Sequence, residues 1–245
     1  MPPEAHTARR FVERLETLRS PDELAKYKRY FKTGPGEYAE GDTFMGVRMG
    51  QVFELAKEFA DMELDEIERL LDEPYHEARA GAMRIMATQA RGKRTPDAQR
   101  KALYDLYLRR HDRIDNWDLV DLAAWDVVGR WLIDTPRDVL DTLARSVNMW
   151  ERRTAILATM AFIREGDVST TLRIAEVLLH DDQDLIHKAT GWALRAAGDR
   201  DPAAVRAFLD RHAATMPRTA LRYALEHFDD DERARYMGSR KAATR

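Results

Sequence analysis

The chain has no cysteine among its 245 residues. That excludes a disulfide framework, a thiolate zinc site and a cysteine nucleophile. Uninterrupted apolar runs near the roughly 20 residues that span a bilayer are missing too. The N-terminal stretch MPPEAHTARRFVERLETLRS is charged and holds no apolar signal core. A soluble protein of the cytoplasm, with no membrane partner, is expected. An excess of one charge sign is also absent, since 40 Lys and Arg face 43 Asp and Glu for a net charge of −3. Bulk charge therefore does not favour nucleic-acid binding, which would require cations segregated onto one face. The motifs HExxH, GxSxG, GxGxxG and the phosphate-binding glycine loop do not occur. The seven histidines are scattered. HDDQDLIH (180–187) has the composition of a metal-ligand cluster but spans a helix–turn–helix junction, and its DDQD reads as a capping turn. No metal and no cofactor are expected.

What is present is helical periodicity, almost from end to end, with 44% hydrophobic and 34% charged residues. A pair of short helical patterns, 8–18 and 22–31, precedes the loop KTGPGEYAEGDT (32–43). Helices then alternate with short turns, and the second members of successive pairs resemble one another. LLDEPYHEARAGAM (70–83), LARSVNMWERRTAI (143–156), LLHDDQDLIHKATGW (178–192) and FLDRHAATMPRTAL (208–221) share one frame. Each runs from a helix end through a polar turn to a helix with an early basic residue. YLRRHDRIDNWDLVDL (107–122) fits the same frame. Recurrence at about 30–40 residues is the signature of a HEAT-like helical solenoid with a concave inner surface. The expectation is an all-α protein with one repeat domain over 1–245. Residues 1–21 form an N-terminal helix with no assigned contact, and 237–245 a flexible basic tail. Arg79, Arg153, Lys188 and Arg218 hold equivalent places in the second helices. Stacking would align them into a cationic stripe on that surface; alternatively each caps or pairs with a neighbouring helix.

One stretch stands out, RIDNWDLVDLAAW (113–125). At about 100° per residue, Trp117, Asp121 and Trp125 fall within roughly 80° of one another. Asn116 suits an N-cap and Asp118 suits first-turn compensation of the helix dipole. Asp121 lies too deep in the helix for that role. It is either a functional acid or the partner of an arginine in the next repeat. MWERR supplies Trp150, Arg152 and Arg153, while DLIHKATGWALR puts Lys188, Trp192 and Arg195 on one helical face. Cations alternating with an indole suit a phosphate backbone with aromatic contact to sugar or base. Tryptophans in helical repeats also serve as core.

Together NWDLVD (116–121), WERRTAI (150–156), DLIHKATGWALR (184–195) and MPRTALRYALE (216–226) resemble the AlkD family of HEAT-like alkylpurine DNA glycosylases. The similarity runs from about residue 22 to residue 236, in the family's order. The resemblance implies a monofunctional glycosylase of base-excision repair. Its substrate would be cationic N3- or N7-alkylated purines in duplex DNA, released without a deep base-flipping pocket. It assigns the catalytic carboxylate to Asp121, neighbouring DNA-contacting tryptophans to Trp117 and Trp192, and basic DNA contacts to Arg153 and Arg195. Lys188, Arg79 and Arg218 join these as expected DNA-binding cations. The implied partner is duplex DNA carrying alkylated bases, bound by a monomer that associates with the nucleoid. Two rivals remain at this level: a non-catalytic HEAT-like protein gripping damaged or branched DNA, and a peptide-binding solenoid.

Overall fold

The computed structural model describes residues 6–242, with side chains through residue 239. Among them there is no strand, only an isolated bridge between Thr43 and Tyr75. The chain divides into two compact units, Met1–Trp131 and Leu132–Arg245. No helix among the described residues is long and apolar enough to cross a membrane.

The first unit holds α1 (Ala8–Glu16), α2 (Pro21–Tyr30), α3 (Met49–Glu58), α4 (Leu64–Asp72), α5 (His76–Arg91), α6 (Asp97–Arg109) and α7 (Trp117–Ala123). Local chemistry sets these boundaries. Thr7 caps α1 through the Arg10 amide, and Ser20 with Pro21 at the first position starts α2. Asn116, fully buried, caps α7 by accepting from the Trp117 amide at 2.8 Å. α5 is the central helix, packed by α3, α4 and α7. It is buried nearly all round, as its small residues permit. Phe11 of α1 lies directly over Gly81 of α5, where a Cβ would come within 2.4 Å of the ring.

The polypeptide between α2 and α3 is tied down from α5. The fully buried Glu77 carboxylate accepts from the amides of Met45, Gly46 and Val47 at 2.8–3.1 Å. Gly46 has φ +83°, and a side chain there would also strike the Ser20 carbonyl. α7 does not end as an α-helix: residues Ala124–Gly129 continue it as a π-helical turn.

The second unit comprises α8 (Asp138–Ala144), α9 (Met149–Ala158), α10 (Met160–Arg164), α11 (Ser169–Val177), α12 (Asp184–Arg200), α13 (Pro202–His212), α14 (Arg218–Ala224) and α15 (Asp230–Ala242). α8 pairs with α9 and α11 with α12, while α12 packs between α9 and α14. This stacking of successive second helices is the helical-repeat pattern. At Gly191 the backbones of α12 and α14 approach so closely that a Cβ would lie 2.5 Å from the Ala220 carbonyl. Residues 237–242, expected as tail, continue α15; 243–245 and 1–5 lie outside the described residues.

Candidate active site

Trp117 and Asp121 lie one turn apart on α7 and line one cleft of about 350 Å³ in the first unit. The opposing wall comes from α2 and its C-cap, with Tyr27, Tyr30 and Phe31, and from α3, with Met49 and Phe53. Asp118 and Leu122 complete the α7 side. Apart from two carboxylates and two phenols, the lining is apolar.

The aromatic wall is a packed series. Phe31 stacks on Trp117 with ring centroids 6.0 Å apart and planes 25° from parallel. Tyr30 meets the same indole edge-on at 6.1 Å and is 65% exposed, forming the rim. Tyr27 packs against Phe31 and Phe44 and donates its hydroxyl to the Val47 carbonyl at 2.7 Å. Burial, reinforced by the Glu77 charge, pushes the Tyr27 phenol up to about 12, so it remains a neutral donor.

Beneath the cleft lies a buried ionic network. His76, fully buried at the start of α5, has Nε2 2.8 Å from Asp118 and Nδ1 3.6 Å from Asp42. Burial works against a charged imidazole, but the two carboxylates outweigh it and raise His76 to about 9. Asp42 also takes Arg79 and the Asn116 amide, at 2.7 Å for the latter. Burial opposes ionisation there as well, yet His76, Arg79 and Asn116 hold Asp42 below the usual carboxylate range. Asp115 is raised by burial despite its pairing with Arg79.

Of the two expectations for Arg79, its geometry follows the pairing one. Its side chain is 3% exposed and its guanidinium is committed to Asp42, Asp115 and the Arg113 carbonyl. The residue ties α5 to the turn before α7. Trp125 leaves the expected face. The π turn begins at Ala124, so α-helical projection fails there. Trp125 is not among the cleft residues, and its indole N–H turns to Asp126 at 3.0 Å, which in turn pairs with Arg91.

The family model for DNA alkylation repair enzymes matches residues 11–228. The chain belongs to the DNA alkylation repair enzyme family. A solved structure described as a predicted DNA alkylation repair enzyme from Enterococcus faecalis shares the fold, with a TM-score of 0.67 and 18% identity. The match covers 86% of this chain and 97% of that one. A search of curated protein sequences gave no significant match.

In this member of the family the remaining expected site residues belong to the second unit. Lys188, Trp192 and Arg195 fall on the one stripe of α12 that is only half-buried, while Ile186, Ala189, Ala193, Leu194 and Ala197 face the core. Lys188 pairs with Asp184 at 2.8 Å and Arg195 with Glu226. Trp150 is buried and packs as core. Arg153, 5% exposed, donates to the Leu185 carbonyl in the first turn of α12 at 2.6 Å. Arg218 donates to the Met237 carbonyl of α15 at 2.6 Å. Arg153 and Arg218 thus each reach from one helix to backbone of a later one, as Arg79 reaches to the turn before α7. Arg152, in contrast, binds Asp181 at 2.6 Å and the carbonyls of Ser146 and Val147. Among the described residues no group of three or more potential metal ligands occurs.

The residues that periodicity missed are Tyr27, Tyr30 and Phe31 on the opposing wall and the His76–Asp42 pair below it. The only signal for the wall is the aromatic run YKRYF at 27–31, immediately before the loop.

Proposed function

We propose that this protein is a monofunctional DNA glycosylase of the AlkD type. It would hydrolyse the N-glycosidic bond of N3- or N7-alkylated purines in duplex DNA. The observation that carries the reading is the half-buried Asp121 beside Trp117 in a cleft otherwise walled by aromatic rings. Such a site suits a cation: ring faces offer about 0.5–2 kcal/mol each to a desolvated positive charge, and a fixed carboxylate adds to this.

The chemistry follows from charge. An alkylated purine is already cationic and leaves with the glycosidic bonding electrons as a neutral base, so little general-acid help is needed. Positive charge passes to the deoxyribose as an oxocarbenium-like centre. Asp121 stabilises that centre and orients or deprotonates the water that adds to the anomeric carbon. Among the described residues no amine lines the cleft, and the expected product is an abasic site and not a cleaved strand. Phosphate contacts are assigned to Lys188 and Arg195, with Trp192 between them on α12, and to Arg153 and Arg218. The HEAT-like array would hold duplex DNA as a monomer, without a metal or cofactor.

Release of 7-methylguanine from a site-specifically methylated duplex tests this, comparing wild type with Asp121→Asn under single-turnover conditions. Loss of one preorganised electrostatic group predicts a rate lower by about 10²–10³ at unchanged DNA affinity. Salt-sensitive DNA binding with no release by either protein would instead leave a non-catalytic DNA-binding scaffold.

A further inference from the structure

His76 touches the C-cap of α2, the end of the 32–43 loop and α7. Its backbone amide donates to the Thr43 carbonyl at 2.8 Å, fixing the loop end to α5. Its ring lies 4.9 Å from Phe44 and 5.0 Å from Phe31, the residue under the Trp117 indole. Nε2 holds Asp118, the residue between Trp117 and Asp121 that shares their cleft, and Nδ1 faces Asp42. We infer that His76 is the positioning residue of this site: bridging Asp118 of α7 and Asp42 of the loop, it sets the orientation in which α7 presents Trp117 and Asp121.

The bridge depends on charge. Nε2 makes a hydrogen bond to Asp118, whereas Nδ1 meets Asp42 only as an ion pair at 3.6 Å, so that side of the bridge is present only while the ring is an imidazolium. The groups facing it are Asp118 from α7, Asp42 from the loop and the rings of Phe31 and Phe44. Arg79, one turn along α5, pairs with the same Asp42 and with Asp115. Glu77 is committed to the loop amides, and the Tyr27 hydroxyl to Val47. Two cations therefore serve three carboxylates. Loss of the His76 charge leaves only Arg79 as a cation among them and releases the loop side at Asp42, while the neutral ring can keep Nε2–H on Asp118. The same contact makes Asp118 part of the scaffold, tied from below to a buried cation.

Two measurements test this, and only the second rests on the glycosylase reading. The chain has five tryptophans, so 5-fluorotryptophan labelling gives a tractable ¹⁹F spectrum in which Trp117→Phe identifies the Trp117 signal. In wild type that signal should shift with a midpoint near pH 9, and the step should vanish in His76→Gln. A flat wild-type titration, or the same step in the variant, overturns the proposal. The wild-type titration decides the matter even if His76→Gln does not fold. In the second measurement, His76→Gln should slow single-turnover base release roughly 10–100-fold, the effect of a small misplacement, with duplex affinity within about twofold. The wild-type rate should fall above pH 9 and the variant rate should not. A variant with unchanged rate and pH profile refutes positioning. An inactive wild type with an intact ¹⁹F step refutes the glycosylase reading alone.

Discussion

Replacing Arg79 with methionine separates two roles that a basic residue at this repeat position can play. If Arg79 is the interior tie that its geometry describes, the variant loses stability, because removing one partner of a buried ion pair costs about 3–5 kcal/mol. The structure favours the lower end. Asp115 is 42% exposed and can relax into water, while Asp42, 5% exposed, keeps Asn116 and His76. Methionine fills much of the vacated volume, so little cavity is added. The expected loss is therefore about 3 kcal/mol, or a melting temperature lower by about 6–12 °C at this chain length. Urea and thermal unfolding followed by far-UV circular dichroism measure it. In parallel, duplex affinity is measured against salt at a temperature where the variant is folded. Each phosphate contact contributes about 0.9 to the slope of log K against log salt, and Arg79→Met should leave that slope unchanged. Wild-type stability combined with a slope reduced by about 0.9 would make Arg79 a DNA contact and refute the reasoning.

Lys188→Ala with Arg195→Ala is the complement: unfolding should change little, since both pairs are at least partly exposed, and the salt slope should fall by up to about 1.8. Gly191→Ala places a methyl group against the Ala220 carbonyl and Tyr223 Cβ. Overpacking of that kind costs about 1–3 kcal/mol, seen as a lower urea midpoint. The pH dependence of stability follows from His76, whose pKa rises from 6.5 to about 9 on folding. The folded state binds the proton more tightly, so this stabilisation is complete below pH 6.5 and is lost as pH rises through 9. The loss is about 3 kcal/mol and should be absent from an unfolding series on His76→Gln.

Helix positions were legible because the apolar period and the capping residues agree. The patterns at 8–18 and 22–31 correspond to α1 and α2, and the glycines and proline of 32–43 mark the connection between α2 and α3. Trp117 and Asp121 also share a cleft, since they lie within one regular turn of α7. What was not legible depends on pairing across distance. His76 meets Asp118 and Asp42, and Arg79 meets Asp42 and Asp115, across more than thirty residues of sequence. A repeat frame locates a cation on its helix but does not say whether the adjoining turn offers it a carboxylate. At Arg79 it does, and the cation points inward. The aromatic wall from α2 was hidden for a similar reason: its partners reach it only through the turn of the 32–43 loop. Trp125 was misplaced because a constant 100° step cannot register a π turn.

That turn bears on how the chain tolerates changes in length. A π turn holds one residue more than the α turn it replaces. Deleting one residue between 124 and 129 would return the segment to α pitch and leave the flanking residues facing as they do now. Elsewhere in α5 or α12 the same deletion would rotate half the helix off its packing face. The sequence thus carries a spare residue one turn beyond Asp121, so length variation at this point would leave the cleft intact where a deletion in a neighbouring helix would dismantle it.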